Sequence, residues 1–192
     1  MKRVTVFCAS SDKIPQIYID EARELARLLA QSGFGVVYGG GEIGLMGAVA
    51  NEMLANNAPI TGVIPRFMVD VEWQHRGVSD MILTETMAER KRKMIDLADA
   101  IVILPGSTGT MDELFDALAD KKLGLIWKPI VVLNTNHFYD HLKAQLELMV
   151  SEKFMNERHF QTITFASTPA EAVKCCENGD ESQRIKLHEA AV

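Results

Sequence analysis

The feature that most constrains this fold is a repeated alternation of short apolar runs with longer stretches of helical period. The runs occupy residues 4–7, 34–38, 60–64, 81–83, 101–104, 130–133 and 163–165. Between them, apolar residues recur at three- and four-residue spacing, beginning at Ile17, Ala22, Leu25, Leu28 and Leu29 and continuing through 45–54, 87–98, 111–123 and 138–150. Near-continuous apolar strands separated by helices require a parallel sheet, because each crossover uses a helix to return the chain and both sheet faces are then covered. The expected class is therefore α/β, a Rossmann-like, doubly wound parallel sheet of about seven strands with helices on both faces. In such a sheet, ligands bind outside the carboxyl ends of the strands, so the loops there are where chemistry is sought.

No Pro/Gly/Ser linker or internal repeat divides the 192 residues, which suggests a single Rossmann-like domain over 1–180 and a polar tail, helical at most, over 181–192. The formal net charge of −6 argues against nucleic acid as a partner, since a binder of polyanions normally carries a basic excess. Any small anion must then be met locally, by backbone amides or a few placed cations. No apolar run approaches the ~20 residues of a membrane span, and Lys2-Arg3 followed by a very short apolar stretch reads as a first strand, not a signal peptide. The odd set Cys8, Cys175 and Cys176 lacks metal spacing and points to free thiols in a reducing cytoplasm.

Two loops are rich in glycine. The first, Gly39-Gly40-Gly41-Glu42-Ile43-Gly44-Leu45-Met46-Gly47, follows the second strand and formally matches G-x-G-x-x-G. Its context is wrong for a dinucleotide: the fingerprint belongs after the first strand, and the next strand here ends Val63-Ile64-Pro65 without a carboxylate. Close backbone approach to a phosphate or ribose and tight strand-to-helix packing both remain open for it. The second loop, Pro105-Gly106-Ser107-Thr108-Gly109-Thr110-Met111-Asp112-Glu113, has the small residues and helix start of an anion cradle. It lacks the Lys-Ser/Thr pair of a Walker loop, so a monophosphate fits better than a triphosphate. Thr110 and Glu113 also have capping-box spacing, which would need no ligand.

The helix over 86–98 places Met87, Met94 and Ala98 on an apolar stripe, with Glu89, Arg92, Lys93 and Asp96 opposite as an ordinary solvated, ion-paired face. Arg90 and Lys91 project within the apolar stripe, where a cation needs a carboxylate, a phosphate or a route to water. For Arg90, snorkelling or a structural ion pair competes with clamping a phosphate or holding a catalytic carboxylate. Glu113 points away from the stripe of Met111, Leu114, Phe115 and Leu118, which leaves it facing solvent, a cleft or a second chain.

Together, Val37 to Gly41 with Gly44-Leu45-Met46-Gly47, then Gly62-Val63-Ile64-Pro65, Met87-Ala88-Glu89-Arg90-Lys91 and Pro105 to Glu113 closely resemble the LOG ("Lonely Guy") family over about residues 4–155. Phe7-Cys8-Ala9-Ser10-Ser11 resembles the family's opening motif. The family comprises cytokinin riboside 5′-monophosphate phosphoribohydrolases, often labelled lysine decarboxylases. The resemblance implies a Rossmann-like homodimer with active sites at the subunit interface and no cofactor or metal. It implies cleavage of the N-glycosidic bond of AMP, or of an N6-modified adenosine monophosphate, to free base and ribose 5-phosphate. It assigns catalysis to Glu113 and Arg90, and substrate binding to Glu72, Lys91, Gly106, Ser107, Thr108, Gly109, Thr110, Gly41, Gly44, Met46 and Ser10. This chain departs from the family pattern at Ser107, at Ala88, and at Ala119-Asp120 on the helix after Glu113, where base preference would be set.

Two other classes compete. One is a non-catalytic nucleotide or molybdenum-cofactor carrier. The other is a pyridoxal-phosphate decarboxylase, for which Lys91 is the lysine available for a Schiff base. His137 and His141 are spaced i,i+4 but lack the HExxH glutamate, so no metal is expected there.

Overall fold

A computed structural model describes residues 1–69 and 74–178. The alternation becomes one parallel sheet of seven strands: β1 (Arg3–Phe7), β2 (Gly35–Tyr38), β3 (Ile60–Pro65), β4 (Met81–Thr84), β5 (Ala100–Ile103), β6 (Ile130–Leu133) and β7 (Ile163–Ala166). Their order across the sheet is β4-β3-β2-β1-β5-β6-β7, every neighbouring pair running parallel. The fold is α/β and Rossmann-like, and each apolar run of the sequence matches a strand to within about two residues.

The helices are α1 (Gln16–Gln31), α2 (Gly44–Ala55), α3 (Met87–Leu97), α4 (Thr108–Lys122), α5 (Asp140–Ser151), the single turn α6 (Glu157–Phe160) and α7 (Pro169–Glu177). One face of the sheet packs against α1, α2 and α7 through Leu25, Leu29, Met53 and Val173; the other packs against α3, α4 and α5 through Met94, Leu114, Ala117 and Leu146. Alternate strand residues serve the two faces, Val4 and Val6 the first, Phe7 and Val37 the second. Each fully buried Leu or Met contributes about 1.5–3 kcal/mol by leaving water.

The chain leaves β1 towards β2, β3 and β4, then returns across the sheet to place β5 on the other side of β1. The connections therefore diverge between β1 and β5, and this switch point is where an open α/β sheet forms its crevice. Among the described residues, no helix is long and apolar enough to cross a membrane.

Three local expectations are corrected. The helix expected from residue 111 begins at Thr108, because Ser107 already has extended backbone and acts as its N-cap. Thr110 therefore sits inside the first turn, and the expected Thr110/Glu113 capping box does not form. Glu89 does not pair across its helix face: its carboxylate accepts from the Glu85 and Thr86 amides at 2.8 and 3.3 Å while Thr86 Oγ1 accepts from the Glu89 amide, a complete capping box on α3. The 181–192 tail and Glu72 lie outside the described residues.

Candidate active site

The carboxyl ends of β1, β2, β3 and β5 converge with the first turns of α2, α3 and α4. Arg90, in the first turn of α3, is 2% exposed and reaches three acceptors. Its Nε donates to the Val63 carbonyl of β3 at 3.0 Å, its Nη2 to the Gly39 carbonyl just past β2 at 3.0 Å, and its Nη1 lies 3.5 Å from Glu113 Oε1. The guanidinium thus ties two strand ends to α4, with its planar fork engaging oxygens on different sides. The expectation that Arg90 turns inward holds, and the acceptors that compensate its burial are carbonyls and a carboxylate.

Glu113 corrects its expectation. It is 5% exposed in this chain, so it does not face open solvent, and it lies opposite Arg90. Helical period places Glu113 away from the sheet, and on that side the Arg90 and Lys91 side chains of α3 reach the first turns of α4. A buried carboxylate opposite a buried guanidinium is costly to assemble and costly to break, since removing either partner strands the other charge.

Lys91 diverges from Arg90. Its Nζ lies 3.0 Å from Asp112 and 3.4 Å from Asp116 on the outer side of α4. Burial pulls the Lys91 ammonium down, but Asp112 and Asp116 together outweigh that pull and raise it above the ordinary lysine value. A Schiff-base lysine requires the opposite shift, so this position does not suit a pyridoxal-phosphate nucleophile. Asp120 likewise belongs to this outer face, paired with Arg92 at 3.1 Å.

The two glycine loops differ in what their amides do. At the start of α2, the Leu45 and Met46 N–H groups both donate to the Ala9 carbonyl at 3.1 and 3.4 Å, so that helix end is already closed by the β1 loop. Gly44 makes the approach possible: it has φ +63°, and a Cβ there would lie 2.3 Å from the Ser11 carbonyl oxygen. Gly41 pairs with Gln74, and Met46 is buried beneath Gly39. Gly44 therefore has an architectural role in this close approach.

At the start of α4, no side chain caps the helix, and the first intrahelical bond runs from the Met111 amide to the Ser107 carbonyl. The amides of Thr108, Gly109 and Thr110 precede that bond, so they are the orphan donors that make a helix start attractive to anions. Ser107 has φ −94°, which any residue adopts, so this departure from glycine carries no backbone strain.

A crevice of about 440 Å³ opens at the switch point between β1 and β5, with Gly106 and Ser107 on one wall and Ala9, Ser10 and Ser11 on another. Ile14, Tyr18, Leu45 and Phe138 make the rest largely apolar, with Tyr18 and Phe138 edge to face at 5.9 Å. The expected residues Ser10, Gly106 and Ser107 are thus brought together there; Thr110 is buried behind Gly106, and Arg90 and Glu113 are not on the crevice wall. Ile14, Tyr18 and Phe138 were missed. They begin the segments after β1 and β6, so the rule that directs attention to strand carboxyl ends would have found them. His137 Nδ1 meets Asp140 at 3.1 Å, and among the described residues no group of three or more His, Cys, Asp or Glu is placed to hold a metal ion.

Residues 46–176 match a family model described as "possible lysine decarboxylase". The rice cytokinin riboside 5′-monophosphate phosphoribohydrolase LOG is 36% identical over 172 residues, covering 90% of this chain and 71% of the relative. The Mycobacterium tuberculosis cytokinin riboside 5′-monophosphate phosphoribohydrolase is 35% identical over 173 residues, covering 90% of this chain and 92% of the relative. Among solved structures, that of TM1055, a structural genomics target, superposes with TM-score 0.72 at 28% identity over 93% of this chain and 99% of the other. The molybdenum cofactor carrier protein of Chlamydomonas reinhardtii gives 0.71 at 19% identity over 92% and 96%, a likeness of fold. With these matches running through both glycine loops, Arg90 and Glu113, the chain belongs to the LOG family of cytokinin riboside 5′-monophosphate phosphoribohydrolases.

Proposed function

We propose that this protein hydrolyses the N-glycosidic bond of AMP or an N6-modified adenosine 5′-monophosphate, releasing the free base and ribose 5-phosphate. The observation that carries the reading is a buried Glu113 held by Arg90 on the same helix whose uncapped first turn can receive a phosphate. The monophosphate sits on the Gly106–Thr110 segment, where orphan amides and the helix dipole favour negative charge. The C1′–N9 bond breaks with its electron pair leaving on the base, so positive charge develops at the ribosyl centre. Glu113 opposes that charge and takes a proton from the attacking water, whose oxygen bonds to C1′. An arginine guanidinium is not a practical proton donor. Arg90 orients Glu113, and solvent supplies the proton to the departing base.

Replacing Glu113 by Gln tests the assignment. AMP affinity, measured by calorimetry, should remain within about threefold while release of adenine, followed by chromatography, falls at least about 100-fold. A fully active variant would remove Glu113 from the mechanism. Wild-type protein that binds AMP without releasing base would instead indicate a carrier.

The protein acts in this reading as a cytoplasmic homodimer with its sites at the subunit interface. Support for the dimer comes from α4 itself: Phe115 is 43% exposed two residues from Glu113, and Leu123, Leu125 and Trp127 near the end of the helix are also open. Sedimentation should give a dimer, and Phe115→Asp should shift it to monomer and lower kcat/KM at least about tenfold; a monomeric wild type would exclude the shared site.

A further inference from the structure

We propose that His75 is a positioning residue for the candidate active site, holding the first glycine loop from the side opposite Arg90; its kinetic test rests on the hydrolase reading above. His75 is 5% exposed and has no part in the chemistry assigned to Arg90 and Glu113. Its backbone N–H donates to the Gly40 carbonyl at 3.0 Å, and its neighbour Gln74 bridges Gly41. Its ring is fixed at both nitrogens: the Gly77 amide donates to Nδ1 at 3.1 Å, and Nε2 lies 3.2 Å from Asn51 Oδ1 on α2. Because Nδ1 accepts, the proton of the neutral ring sits on Nε2 and donates to Asn51.

The consequence runs through adjacent peptides. The Gly39 carbonyl receives Arg90 Nη2 while the next carbonyl, that of Gly40, receives His75, so the loop is pinned from two sides. Gly40 has φ +85°, a conformation few other residues adopt readily, and Gly39 lies so near Arg90 that a Cβ there would meet Nη2 at 2.2 Å. Without the ring's bonds to Gly77 and Asn51 the segment that carries the His75 N–H loosens, freeing the Gly40–Gly41 peptide and with it the adjoining Gly39–Gly40 peptide, whose carbonyl is an acceptor of the Arg90 fork. Glu113 then loses its aligned partner, while the first turn of α4, which receives the phosphate, is untouched. His75 therefore acts on turnover more than on nucleotide affinity.

The experiment compares His75→Leu, which keeps bulk without a ring nitrogen, with His75→Asn, whose side-chain oxygen occupies nearly the place of Nδ1 and still accepts from Gly77. In the wild type, nitrogen NMR should show an acceptor Nδ1 and a protonated Nε2. His75→Leu should lower kcat for AMP about tenfold with KM within about twofold, and His75→Asn should recover to within about threefold of wild type. The Arg90 Nη–H resonances should exchange with solvent faster in the leucine variant. Asn51→Ala, on the exposed side of α2, supplies the same comparison if the leucine variant does not fold, with a drop in kcat of about threefold. An Nδ1-protonated ring, equal loss in the Leu and Asn variants, or unchanged kcat and Arg90 exchange would overturn the proposal. If the wild type releases no base, the hydrolase reading fails by itself; Arg90 exchange still decides this one, faster exchange in the leucine variant supporting it and unchanged exchange overturning it.

Discussion

The two glycine loops look alike in sequence and do opposite work. In the first, Leu45 and Met46 donate to Ala9, the Gly40 carbonyl accepts from His75, Gly41 pairs with Gln74 and the Gly39 carbonyl accepts from Arg90, so two of its carbonyls and the start of α2 are engaged within the chain. In the second, the helix of Thr108–Lys122 starts without a side-chain cap, directly after Gly106 and Ser107 on the crevice wall. Glycine in the first loop serves chain-to-chain approach; in the second it leaves donors uncovered. A glycine-rich strand-to-helix turn is therefore not a phosphate site until the destinations of its amides are known.

The largest expected effect comes from cutting the bond between the loops. Arg90→Met removes the donor to Gly39 and leaves Glu113 buried without its guanidinium, which should cost about 3–5 kcal/mol in denaturant unfolding. A loss below about 1 kcal/mol would mean the first loop stands without Arg90. Next, Gly44→Ala forces a side chain into the left-handed region and against the Ser11 carbonyl, so stability should fall by about 1–3 kcal/mol. Gly109→Ala, one residue inside α4 with nothing within 4 Å of the added carbon, should do the reverse. Restricting the unfolded chain and improving helix propensity should stabilise by about 0.5–1 kcal/mol, raising the melting temperature by a few degrees. If both alanines destabilised alike, the division between a closed and an open loop would collapse.

The parts legible in the sequence were those governed by local period. Continuous apolar runs became strands and the parallel sheet followed, because a buried parallel strand needs no polar alternation to declare itself. Helix α7 declares itself through its start and not through its period: Thr168 caps it, Pro169 occupies its first turn and Glu171 sits at the capping-box position. What helical period could not supply was the second neighbour. Glu113 faces away from the sheet, as its stripe implied, but Arg90 of α3 reaches it there, and only tertiary contact reveals that pair. Lys91 shows the same limit, since adjacency to Arg90 in sequence sends it to Asp112 and Asp116 instead of the buried pair. Resemblance to the family singled out Arg90 and Glu113; periodicity alone left both with several partners.

The smallest effect offers the finest discrimination, because a tyrosine stands at the root of each loop. Tyr139 is buried and its hydroxyl donates to the Leu104 carbonyl at 2.7 Å, directly before Pro105 and Gly106. Tyr38 immediately precedes Gly39 and is fully buried, and its hydroxyl finds no hydrogen-bond partner among the described residues. Burial raises both phenols far above their ordinary value, so neither ionises near neutral pH. Removing the hydroxyl from Tyr139 deletes a bond and leaves a buried carbonyl short of a donor, a loss of about 1 kcal/mol. Removing it from Tyr38 deletes a desolvated group that gains nothing in return, so Tyr38→Phe should be neutral or slightly stabilising in the same unfolding experiment. The sign of the difference matters more than its size. A closed loop held by its backbone tolerates the loss of a root hydroxyl, whereas the open loop depends on one; equal losses at both tyrosines would place a bound water or ligand on Tyr38 and make the first loop a binding element after all.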